Sequence, residues 1–190
     1  KSLALSEQIS ESDKLDVCVY MDYENTDIVL VSNGMPLFCH TAGIGKKNLL
    51  EHLKTTFSLE ENDAQDFLPE IALLVPGQPS SNDPIVIRAA TALRTVYNNI
   101  CSEITKAIEF YKTQKANSAE VNKIFLGGSG MIVQNADKFI ENRLKIDTDK
   151  VNTFSKITNI SESISEQEAT AYASAVGLAL KGMNIENSRS

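Results

Sequence analysis

The sequence predicts an α/β fold: a mixed sheet flanked by helices, with a small α-rich insertion. Three observations point to it. Short strand-like runs follow one another from Asp16, a single amphipathic stretch of about thirty residues marks one long helix, and a hydrophobic run stops at Gly127-Gly128-Ser129-Gly130 and gives way to a helical pattern. A chain of 190 residues, 42% hydrophobic and 23% charged, buries an adequate core without disulfides or metals.

The first strands are expected at 17–22, 28–31 and 36–41, with Ser32-Asn33-Gly34 as the turn between the last two. Apolar residues stand on both alternating faces of the first two runs, so the sheet is expected to be covered on both sides. After Gly43-Ile44-Gly45, Leu49, Leu50 and Leu53 recur at helical spacing over 46–56. Ser58 with Glu61 then reads as a capping box opening a second short helix. Residues 76–84 hold three of the five prolines and form the best internal boundary. From 85 to about 115, Ala89, Leu93, Val96, Tyr97, Ile100, Ile104, Ile108 and Tyr111 mark one buried stripe. A buried strand is expected at 121–126, a helix at 131–144 and a short strand near Val151. A last helix, capped by Ser165 with Glu168, is rich in small residues. The organisation expected is a helix tail at 1–15, a core lobe at 16–42 and 83–183, an inserted subdomain and loop at 43–82, and a frayed tail at 184–190.

Lys and Arg total 18 against 25 Asp and Glu, a net charge of −7 that disfavours a nucleic-acid partner. Cys18, Cys39 and Cys101 lack metal-type spacing and sit in apolar stretches, as in a reducing compartment. No apolar run approaches the roughly 20 residues of a membrane-spanning helix, and no signal peptide is visible. The opening at Lys1 on a helical tail reads as a piece of a longer chain.

Three segments could carry chemistry. At Gly127-Gly128-Ser129-Gly130 a strand-to-helix corner can bring backbone N–H groups close to a ribose or phosphate. A tight turn with no ligand explains the tetrapeptide equally well, and the spacing is not a dinucleotide-binding fingerprint. Gly43-Ile44-Gly45-Lys46-Lys47 lacks the first glycine and the Ser/Thr of a phosphate loop, so it reads as a turn into a helix, with Lys46 and Lys47 still able to meet an anion. Asp22-Tyr23-Glu24-Asn25-Thr26-Asp27 is an acidic hairpin tip that could hold the waters of a Mg²⁺ ion, or simply be a polar turn. His40 and His52 have no triad or zinc partners at hand and read as surface or packing residues.

In this order the pieces resemble the second half of an actin-like ATPase, and within that superfamily the PilM family of type IV pilus assembly. Residues 22–28 look like the second phosphate motif. The run from Val31 to Phe38, with Gly34-Met35-Pro36, is similar to the family's strand, Gly-x-Pro turn and strand. Ala42-Gly43-Ile44-Gly45 sits where the family has Ile-Gly-Gly before a helix. Residues 103–114 (EITKAIEFYKTQ) resemble its Phe-Tyr-x-x-Gln helix, 124–130 its Gly-Gly adenosine motif, and 171–182 (AYASAVGLALKG) its Gly-Leu-Ala-Leu-x-Gly ending.

The resemblance implies an actin/RNase H-like lobe in a cytoplasmic protein, peripheral at the inner membrane. It implies ATP and Mg²⁺ as cofactors, with Gly127, Gly128, Ser129 and Gly130 beside the adenosine, Asp22 and Thr26 facing the phosphates, and Asp22 reaching Mg²⁺ through water. The implied partners are the cytoplasmic tail of a PilN-like membrane protein, other platform proteins and further copies of the chain. Enlarging Gly128 is then expected to abolish nucleotide affinity with little unfolding. Two departures bear on function. No glycine precedes Thr26, and Glu24 adds negative charge beside a triphosphate, so the ATP site reads as degraded. The first phosphate hairpin and the other lobe are absent from this sequence, so this piece is not expected to hydrolyse ATP alone. The leading expectation is a scaffold of the pilus platform. The alternatives are an active actin-fold ATPase, such as an FtsA-like division filament protein or a kinase, and the related domain of a type II secretion platform.

Overall fold

The computed structural model describes residues 14–78, 81–115 and 120–151. Strands β1 (Leu15–Met21), β2 (Thr26–Ser32) and β3 (Met35–Ala42) form the expected antiparallel meander. Helices α1 (Lys46–Phe57) and α2 (Glu61–Phe67) come next, then a single 3-10 turn at Leu68–Glu70 and the long helix α3 (Pro84–Lys115). Strand β4 (Val121–Gly127), helix α4 (Ala136–Leu144) and strand β5 (Thr148–Lys150) complete the described elements. The sheet order is β3-β2-β1-β4-β5, with β1, β4 and β5 parallel, so the sheet is mixed as expected.

The long excursion between β1 and β4 is a consequence of that pairing, because two parallel neighbours cannot be joined by a hairpin. On one face, Val17, Val19 and Met21 of β1 join Ile28, Leu30, Ile124 and Leu126 in a core closed by the α3 stripe. All eight predicted stripe residues, Ala89 through Tyr111, are buried. Leu49, Leu50 and Leu53 of α1 belong to the same core. Cys18, Val31, Phe125 and Val151 are buried as a second cluster, so apolar residues are covered on both sides of the sheet. Proline at the first position of α3 needs no N–H partner, and the Asp83 carboxylate accepts the Ile85 N–H at 2.8 Å.

Two local expectations are corrected. Ser58 does not open α2. It closes α1 in the left-handed conformation (φ 54°), with its N–H and that of Leu59 both donated to the Lys54 carbonyl, and Glu60 precedes the first residue of α2. Packing of the partly buried Leu59 against the core accompanies this reversal, as a hydrophobic contact just past a left-handed helix end commonly does. Nor is 131–144 one helix. A 3-10 turn spans Ser129–Met131, and Gln134 then pairs with the segment after α2, its N–H on the Ile71 carbonyl at 3.0 Å and its carbonyl accepting the Leu73 N–H at 2.9 Å. Only after Asn135, at φ 60°, does α4 begin. The expected helix tail at 1–15 lies outside the described residues except for its last two positions, and the helix from Ser165 and the tail at 184–190 lie wholly outside them.

Candidate functional site

Strands β1 and β4 run side by side in the same direction, with Tyr20 paired to Gly127, so the loops after both strands emerge at the same end of the sheet. From β1 comes the acidic tip; from β4 comes the glycine corner. Their meeting point is Met21. Gly128 sits at φ +95°, and a Cβ there would fall on the Met21 carbonyl oxygen. A Cβ on Gly130 would overlap the Met21 thioether. The buried Tyr97 hydroxyl of α3 donates to the Gly130 carbonyl at 2.8 Å, and burial holds that phenol far above its ordinary pKa. Packing against backbone therefore requires Gly128 to be small, while a side chain at Gly130 would have to displace the Met21 side chain. The expectation that Gly128 can be enlarged with little unfolding is corrected on the same ground: the added side chain meets backbone, at a φ that L residues rarely adopt.

The tip is closed by the Asp22 N–H on the Asn25 carbonyl at 2.8 Å, while the Tyr23 N–H donates to its neighbour's carboxylate, Asp22 Oδ1, at 2.8 Å. Helix α1 begins against this turn. The N–H groups of Lys46 and Lys47 donate to the carbonyls of Asp22 and Tyr23, each at 2.8 Å, and Gly45 lies so close that a Cβ would overlap the Tyr23 carbonyl. The Gly45 N–H is taken by Asn48 Oδ1 at 2.9 Å. Helix-start donors that could have met an anion through Lys46 and Lys47 are thus engaged by the tip's own carbonyls. Thr26 is fully buried and its hydroxyl donates to the Ile44 carbonyl at 2.6 Å, which ties tip to turn and leaves that hydroxyl pointing inward.

Beside the tip lies a depression of about 250 Å³ whose lining includes Asp22, Glu24, Asp27 and the side chains of Tyr20 and Tyr23. Thr41 also borders it and donates to Asp27 Oδ1 at 2.6 Å. No lysine or arginine lines it. The structure brings Asp22, Gly127, Gly128, Ser129 and Gly130 to one end of the sheet, while the glycine corner does not border the acidic depression.

A contact that local sequence reasoning missed joins the tip to the insertion. The exposed Tyr23 hydroxyl donates to Glu61 Oε1 at 2.8 Å, and Lys54 donates to Glu61 Oε2 at 2.8 Å. The Lys54 ammonium, and then the Tyr23 hydroxyl, hold the Glu61 carboxyl below its usual range; Glu61 in turn raises both partners. Tyr23 and Glu61 are 38 residues apart, beyond any local spacing rule. His40 bonds Glu103 of α3 at 2.8 Å, a packing role as expected.

A triphosphate requires convergent N–H donors or cations. The N–H groups of Asp22, Tyr23, Gly45, Lys46 and Lys47 are bonded to protein oxygens, and the lining beside them carries three carboxylates and no cation, so these residues fit a bare triphosphate poorly. Among the described residues no group of three or more His, Cys, Asp or Glu is arranged to hold a metal ion. The mixed five-stranded sheet, the long crossover helix and the glycine corner beside the β1 tip together define one lobe of the actin-like fold. The PilM-PilN type IV pilus biogenesis complex superposes with a TM-score of 0.75 at 20% identity over 95% of this chain and 49% of that one. MreB5 of Spiroplasma citri bound to AMPPNP gives 0.67 at 13% identity, over 97% of this chain and 59% of that chain. The archaeal actin homologue Ta0583 gives 0.62 at 17% identity, over 96% and 53%. The chain thus spans about half the length of these structural relatives.

By sequence, residues 3–183 match the family described as type IV pilus assembly protein PilM, and the chain belongs to that family. No curated protein sequence matches it. Among the described residues no helix is long and apolar enough to cross a membrane.

Proposed function

We propose that the chain is a scaffold lobe of a type IV pilus assembly platform. It works in the cytoplasm at the face of the inner membrane, and it does not turn over ATP. The observation that carries this reading is the tip: where an actin-like phosphate loop offers backbone N–H groups to a nucleotide, Asp22, Tyr23, Gly45, Lys46 and Lys47 offer theirs to protein oxygens, among carboxylates. Any nucleotide held by the intact protein would rest on the Gly127–Gly130 corner through its adenosine, with Asp22 as the tip carboxylate that would reach a Mg²⁺ water. The similarity to a PilM-PilN complex supports the cytoplasmic tail of a PilN-like protein as the membrane partner.

The test uses the intact protein. Expected are capture of the PilN-like tail and phosphate release at the background rate with ATP and Mg²⁺. Failure to bind that tail, or sustained Mg²⁺-dependent turnover, overturns the reading. A second reading, an active actin-fold ATPase, has one observation in its favour: the chain shares its fold with MreB5 structures bound to AMPPNP and to ADP.

A further inference from the structure

A second depression lies away from the glycine corner. The segment Leu74-Val75-Pro76, helix α3 and helix α4 enclose a groove of about 310 Å³. Its apolar wall includes Leu74 and Phe139; its polar groups are Arg94 and Asn98 from α3, and Asn142 and Arg143 from α4. The spacings explain the convergence. Arg94 and Asn98 are four apart on one helix, and Phe139, Asn142 and Arg143 stand at i, i+3 and i+4 on the other, so each set shares a face. The walls are fixed: Tyr97 packs edge-on against Phe139 with centroids 6.2 Å apart, and Asn135 Nδ2 donates to the Leu73 carbonyl at 3.3 Å.

Among the described residues, no carboxylate compensates the charge in this groove. Lys54, Lys106, Lys123 and Lys138 each pair with a carboxylate, and Arg88 lies 5.2 Å over the Phe57 ring while donating to the Thr56 carbonyl. Arg94 and Arg143 have no hydrogen-bond or ion-pair partner among the described residues, and no carboxylate lines the groove. Two guanidinium groups that face one groove without a carboxylate among the described residues form a local positive site in a chain of net charge −7. Arg143 is near enough to α3 that its charge opposes the burial that raises Cys101 to about 11.

We propose that this groove is a docking site for an extended acidic peptide segment of a protein partner. One apolar side chain seats against Leu74 and Phe139, and flanking carboxylates pair with Arg94 and Arg143. Guanidinium groups match carboxylates bidentately, and the side-chain amides of Asn98 and Asn142 supply both donors and acceptors, which suit a peptide backbone better than a phosphate. The volume is at the lower limit of ligand pockets and suits one anchoring side chain. The site is independent of the nucleotide question.

The test is fluorescence polarisation of the intact protein with a labelled peptide of alternating glutamate and leucine, and with its glutamine counterpart. The glutamate peptide is expected to bind, to weaken as salt rises, and to exceed the glutamine peptide by about tenfold or more. R94E and R143E should each weaken it by about tenfold or more. K112E, about 27 Å along α3 from Arg94, should not. Thermal melts check folding, and R94Q and R143Q replace any charge reversal that unfolds. The proposal is overturned if both peptides bind equally, if the groove variants bind like the parent, or if K112E is as damaging as R94E. Displacement of the peptide by inorganic phosphate alone at matched ionic strength would also overturn it. So would charge reversal at Arg94 or Arg143 that abolishes salt-sensitive self-association in sedimentation while sparing peptide binding.

Discussion

Gly128 is small because the Met21 backbone leaves no room for a Cβ, and Gly130 lies against the Met21 side chain. Gly128→Ala combines a strained φ with a backbone overlap, and we expect it to lower unfolding stability by about 3 kcal/mol or more. Chemical denaturation checks this; a variant as stable as the parent would mean that the corner is held open for a ligand. Tyr97 offers a finer test. Tyr97→Phe keeps the ring against Phe139 and leaves the Gly130 carbonyl without its hydroxyl donor, a loss of about 1–2 kcal/mol by the same measurement. At the tip, the Tyr23–Glu61–Lys54 contact is exposed, so its signature is titration. Lys54→Met should raise the Glu61 pKa toward the ordinary glutamate value, and Tyr23→Phe should raise it by less, since Lys54 is the larger cause of the depression. Because the folded-state value is depressed, the contact stabilises the fold above the ordinary glutamate range and is lost as pH falls through the folded pKa. Carboxyl NMR titration reads both shifts.

At the scale of elements, α3 was the most legible part of the sequence. Its stripe from Ala89 to Tyr111 repeats over a length that only a helix supports, and every predicted stripe position is buried. Strands β1, β2 and β3 were legible from their alternation and from the Asn33-Gly34 turn, where both residues have positive φ. The connections were not. Ser58 and Glu61 carry the letters of a capping box, yet Ser58 ends α1 in the left-handed conformation, with the partly buried Leu59 packed on the core. Met131, Ile132 and Val133 look like the first turn of a helix, yet Gln134 pairs with residues 71 and 73, a partnership across some sixty positions that no local window contains. The candidate site was half legible: the sequence located the tip and the corner, while the inward-facing Thr26 hydroxyl and the bonded N–H groups of α1 depend on how the turn at 43–45 seats against the tip. Asp83→Ala removes the acceptor at the start of α3 and should cost about 1 kcal/mol in denaturation.

At the scale of the whole molecule, the shared end of β1 and β4 is what the actin-like fold provides, and in this chain it is filled by contacts of the protein with itself. Gly45 and the first turn of α1 brace the acidic tip, and Tyr23 extends that brace to α2. The same arrangement takes up donors that a triphosphate would need, and the scaffold role proposed for this member of a pilus assembly family rests on that. The groove between α3 and α4 lies elsewhere, and the peptide docking proposed for it is separate from the tip.

The most direct measurement is steady-state phosphate release by the intact protein with ATP and Mg²⁺, alone and with the PilN-like tail. The account predicts a rate indistinguishable from protein-free buffer in both cases. Sustained turnover that vanishes on chelation of Mg²⁺ would contradict it.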